Sequence, residues 1–71
     1  MQYPKPIMRS QELRKMGFPE EFLQIAYLTK GQTFAQKMDP TKKNSPIIFE
    51  TVGFEEWRMR RLLAENKALP R

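Results

Sequence analysis

Apolar positions along this 71-residue chain recur first at helical and then at strand spacing. Ser10 is suited to cap a first helix, and Leu13 and Met16 lie three apart on one face behind it. Gly17 ends that helix where a left-handed residue is favoured. Pro19 opens the next at the first helical position, which needs no amide donor. Glu20 and Glu21 follow in the turn where negative charge suits the helix dipole. Phe22, Ile25 and Ala26 form an i, i+3, i+4 stripe, widened by Phe18, Leu23 and Tyr27. Two short helices about a glycine corner fit a helix-turn-helix, or a plain helical hairpin used only for packing. These residues leave both open.

The period then changes. Gly31 closes the second helix. Gln32 to Met38 alternate, with Phe34, Gln36 and Met38 on one side and Thr33, Ala35 and Lys37 on the other. Asp39 to Pro46 are dense in turn formers, and Ile47-Ile48-Phe49 is a β-branched and aromatic run. A two-stranded hairpin with a basic tip is expected, resting on the helices because a lone hairpin is only marginally stable. Thr51 to Gly53 should turn the chain into a third helix, docked by Phe54 and Trp57. Beyond them Arg58 and Arg61 share the docking side while Met59, Leu62 and Leu63 fall elsewhere. Either the arginine stems run along the core edge, or the helix carries a second apolar patch. The expected core is Phe22, Ile25, Phe34, Phe49, Phe54 and Trp57. Met1 to Arg9 should run extended, with Tyr3 and Ile7 able to pack and Ile7 and Met8 stapling the helix start. Residues 1–6 and 66–71 are expected to fray.

Length allows one domain. The sequence has no cysteine and no histidine, which removes thiolate chemistry, the commonest metal ligand and the commonest general base. The adjacent pairs Glu20-Glu21 and Glu55-Glu56 sit near helix starts, which explains them without chemistry. A protein that is not an enzyme is expected, with no cofactor, no metal and no small-molecule substrate. A net charge of +5 favours polyanionic partners, although small basic surfaces also serve solubility alone. No apolar run approaches the roughly 20 residues that cross a bilayer, so no membrane association and a cytosolic location are expected.

The order helix, turn, helix, hairpin, helix points to an α+β fold, a small winged helix-turn-helix spanning residues 1–71. In that architecture the second helix enters the major groove and the hairpin tip meets the neighbouring backbone. The candidate contacts to duplex DNA are Gln24 and Tyr27 on the second helix, Thr29, Lys30 and Gln32 after it, and Lys37, Lys42, Lys43 and Asn44 in the hairpin. The plainer readings are a solvated loop at the tip and an ordinary exposed glutamine at Gln24. Glu20 and Glu21 run against DNA docking: they would repel phosphates, accept from cytosine, or face Arg14 or Lys15.

The run SQELRKMGFPEEFLQIAY, the hairpin and the closing Phe54-Glu55-Glu56-Trp57 resemble the small excisionase-like, MerR-type winged-helix proteins of bacterial mobile elements and phages. The resemblance covers Ile7 to Trp57, with Glu12-Leu13 and Gly17 as further landmarks. It implies a recognition helix over Pro19 to Leu28 and a wing over Lys37 to Ile47. It also implies an excision factor acting beside a recombinase, or a small transcription regulator. The sequence departs from that family in its acidic recognition-helix start and its longer, proline-richer wing. The alternative is a protein-interaction module, such as a phage-encoded inhibitor, using Met59, Leu62 and Leu63 or the aromatic surface.

Overall fold

The computed structural model describes residues 2–68, with side chains described through residue 65. Its elements are β1 (Ile7–Arg9), α1 (Ser10–Lys15), α2 (Glu20–Leu28), β2 (Ala35–Lys37), β3 (Ile47–Glu50) and α3 (Thr51–Ala68). The fold is α+β: three helices against a small antiparallel sheet of strand order β1-β3-β2. Phe49 at the centre of β3 pairs with Met8 on one side and Ala35 on the other. All three are buried, so one face of the sheet supplies a row of the core.

The corner between α1 and α2 forms as expected. Gly17 has φ +115° and donates to the Arg14 carbonyl at 2.9 Å, and the Phe18 amide reaches back to Leu13 at 3.2 Å. These bonds satisfy carbonyls at the helix end, and the backbone there suits a residue without Cβ. The helix starts differ from expectation by one position. Arg9, extended at ψ 155°, is the N-cap of α1, and Ser10 is already helical, so the Ser10 cap is not made. Glu12 supplies the local bond instead, its Oε1 accepting from the Arg9 amide at 3.0 Å. Pro19 likewise precedes α2 as its N-cap, and its carbonyl accepts from Leu23 at 3.2 Å.

The expected stripe of α2 is turned by one residue. Leu23 and Ala26 are buried, with Phe22 and Tyr27 packed beside them, while Ile25 is 46% exposed and belongs to no core. The remaining expected core residues, Phe22, Phe34, Phe49, Phe54 and Trp57, do meet. Phe54 is their hub, with no exposed surface. Its ring centroid lies 5.2 Å from Phe18, 5.4 Å from Phe49, 5.9 Å from Trp57 and 6.1 Å from both Phe22 and Phe34.

Two segments, one expected as a turn and one as an extended arm, belong to regular elements. Thr51 to Gly53 form the first turn of α3 rather than a turn before it. Gly53 is there for closeness, since a Cβ would sit 2.7 Å from Cβ of Phe34. The N-terminal arm contributes β1 and is tied to α3. The Thr51 amide donates to Pro6 at 2.8 Å, its hydroxyl lies 3.0 Å from the Lys5 carbonyl, and the Tyr3 hydroxyl donates to Glu55 at 2.7 Å. Lys5 also pairs with Glu12. At the other end α3 continues through Ala68, whereas the pattern had ended near Ala64. The expected fraying of residues 69–71 lies outside the described residues.

Candidate nucleic-acid interface

The hairpin tip is built from short polar bonds. The ladder runs one step past β2, with the Met38 amide donating to the Pro46 carbonyl at 2.8 Å. Asp39 then turns the chain: its carboxylate accepts from the Thr41 amide at 3.0 Å and hydroxyl at 2.6 Å. The Asp39 amide donates to Ser45 Oγ at 2.7 Å, closing the loop across its base. Asx turns of this kind fix a loop without apolar burial. Lys42, Lys43 and Asn44 stand exposed on it, and neither lysine has an ion pair among the described residues.

The hairpin and α2 share a groove lined by Tyr27, Leu28, Gln32, Lys37, Met38 and Pro40. Lys37 is half-buried, in register with Ile47 and on the same face of β2 as Ala35. Its ammonium therefore belongs to the groove wall and not to the tip. Tyr27 is half-buried and packed on the core, so only part of its ring is available. Lys30 is exposed just past the end of α2. Thr29 ends the helix with its hydroxyl donating to the Ile25 carbonyl at 2.7 Å, which leaves its oxygen free only as an acceptor.

Gln32 has a different role from the one expected. Its Nε2 donates to the carbonyls of Tyr27 at 3.1 Å and Ala35 at 2.8 Å. Its Oε1 accepts from the amides of Phe34 at 2.8 Å and Ala35 at 2.7 Å. Two donors and two lone pairs are the whole capacity of a glutamine amide, so Gln32 is a brace between α2 and β2 with nothing left for a base edge. Gln24, in contrast, is exposed and its side chain makes no hydrogen bond among the described residues.

The outward side of α2 carries Glu20, Glu21, Gln24, Ile25 and Leu28, the last 73% exposed, and no basic residue. Glu20 lies 3.6 Å from Arg14, so it faces the cation of α1, as one of the expected alternatives had it. Lys30 follows α2 and Lys37, Lys42 and Lys43 stand in the hairpin, while Arg14 and Lys15 lie on α1 and Arg58, Arg60 and Arg61 on α3. Sequence reasoning passed over Met38 and Pro40 as groove residues, because nothing local marks a loop residue as lying against a helix ten residues earlier.

Among the described residues no group of three or more acidic, cysteine or histidine side chains could hold a metal ion, and no helix is long and apolar enough to cross a membrane. No family model, curated protein or solved structure matches the chain.

Proposed function

We propose that this chain is a small winged helix that binds duplex DNA, with the hairpin as its wing and α2 as the helix presented to the major groove. The observation that carries the reading is the tip. Two adjacent lysines and an asparagine are held exposed on a turn fixed by Asp39 and Ser45, one strand away from the end of α2. Flexible ammonium groups on a fixed loop suit phosphates, which supply most of the affinity in such complexes. Lys30 and Lys37 extend the cationic path toward α2, while Gln24 is the polar side chain free to meet a base edge. Because α2 carries no cation, phosphate binding falls to the hairpin and to Lys30. The protein acts by binding and not by catalysis. The sequence resemblance favours an excision or recombination accessory role beside a recombinase, or a small transcription regulator.

The test is a titration against mixed-sequence duplex DNA at several salt concentrations. Replacing Lys42→Ala together with Lys43→Ala should weaken binding to all sequences alike and reduce the salt slope by about 1 for each phosphate no longer neutralised. An unchanged affinity and slope would remove the hairpin from the interface and the proposal with it.

A further inference from the structure

Helix α3 has two long stripes. Phe54, Trp57 and Arg61 mark the side turned to the core, with the Arg61 guanidinium 5.0 Å from the Trp57 ring centroid. Val52, Glu56, Met59 and Leu63 repeat at spacings of four, three and four on the opposite side. Val52 is 72%, Met59 40% and Leu63 55% exposed, so this apolar stripe has no partner among the described residues. Such spacing is that of a coiled-coil seam, with a single polar residue inside it.

We propose that a second copy of this chain docks on this stripe, with the two α3 helices antiparallel. The charges choose both occupant and direction. Glu56 sits within the stripe and Arg60 borders it, and neither has an ion pair among the described residues. Antiparallel pairing about a two-fold axis between Trp57 and Arg58 sets Val52 against Leu63 of the partner subunit. The same axis sets Glu56 beside Met59 of the partner subunit, within reach of Arg60 of the partner subunit. The two-fold axis makes each of these contacts twice. A parallel pair would instead stack Glu56 on Glu56 of the partner subunit, a like-charge clash inside the seam. The receiving surface extends past the helix. A concavity lined by Tyr3, Pro4, Pro6, Val52, Glu55 and Glu56 lies where the partner's Leu63 would arrive. Phe22 of α2 packs against Trp57 on the inward side of α3, whereas Glu56 and Arg60 share a concavity with Thr29, Lys30 and Phe34, so the seam runs beside the turn that follows α2.

Three apolar side chains per copy make a small seam, so the dissociation constant should fall at roughly tens to hundreds of micromolar. Sedimentation equilibrium of the whole chain, without DNA, measures it. Leu63→Asp should weaken association by about a hundredfold, since it strikes the seam twice. Glu56→Arg and Arg60→Glu should each weaken self-association by roughly fivefold or more, while an equimolar mixture of the two should recover a heterodimer. All these positions are exposed, and circular dichroism checks that each variant remains folded. A wild type that stays monomeric at about a millimolar overturns the proposal. So does an association that Leu63→Asp leaves intact, or a mixture no tighter than its components.

Discussion

The first turns of α3 and the tip of the hairpin are both well-defined pieces of this chain, yet different forces hold them. Phe54 and Trp57 are fixed by rings on every side, with Phe22 5.1 Å from Trp57 and Phe18 5.2 Å from Phe54. The tip buries no apolar side chain from Pro40 to Asn44 and relies on the Asp39 and Ser45 bonds. In a small domain the apolar burial supplies most of the stability, so α3 is where change is costly. The tip is free to vary because the fold asks little of it. Four substitutions probe that division, in descending order of their expected effect on stability.

Trp57→Ala should cost roughly 3–5 kcal/mol, comparable to the whole stability of a domain this size, and leave little folded protein. Thermal melting followed by circular dichroism reads it. A variant that melts like the parent would mean the ring cluster is not what holds α3.

Gln32→Ala should cost about 1–3 kcal/mol, because it strands backbone groups of Phe34, Ala35 and Tyr27 that its amide now satisfies. The same melt decides between brace and reader. If Gln32→Ala leaves stability alone but weakens DNA binding, Gln32 belongs to the interface after all.

Glu55→Gln should act mainly in acid. Two bonds from Arg58, at 2.9 and 2.8 Å, hold this carboxyl at about 2, with the Tyr3 hydroxyl as a further donor and partial burial opposing both. A carboxyl lowered on folding stabilises the fold above its unfolded pKa, and that stability drains away as pH falls from about 4.5 toward about 2. The wild type should therefore lose stability across that window, and Glu55→Gln should lose less there, having started lower. Parallel acid unfolding curves would show that the pair contributes nothing.

Much of this architecture is legible in the residues, and the misses have local causes. Gly17, the pairing of β2 with β3 as a hairpin, and Phe54 with Trp57 follow from spacing and turn chemistry. Helix α2 reads FLQIAYL, in which 22, 25, 26 and 23, 26, 27 are equally good stripes, so only the packing partner could select Leu23 over Ile25. Strand β1 is three residues long and pairs with β3 some forty residues later, which no local period records. Gly53 looks like a turn residue because the close approach of Phe34 that requires it is tertiary. Gln32 illustrates the same limit at the candidate site: a polar side chain after a helix reads alike whether it faces solvent or threads the backbone.

The smallest effect on stability should come from Gln24→Ala, since Gln24 is exposed, makes no side-chain hydrogen bond among the described residues and is replaced by a better helix former. Its melting temperature should match or slightly exceed that of the parent. Binding is where it should register. An amide can pair bidentately with adenine, donating from Nε2 and accepting at Oε1, whereas neighbouring Glu20 and Glu21 can only accept. At a preferred site the loss should be about 1–3 kcal/mol, and on random duplex it should be much smaller. The Lys42 and Lys43 pair should show the reverse pattern, equal losses on both DNAs, because phosphates carry no sequence. Measuring the two variants side by side on both DNAs therefore separates reading from anchoring within one interface. Equal losses for Gln24→Ala on both would strip α2 of base reading, and the exposed Ile25 and Leu28 beside it would then mark that helix as a surface for protein contact.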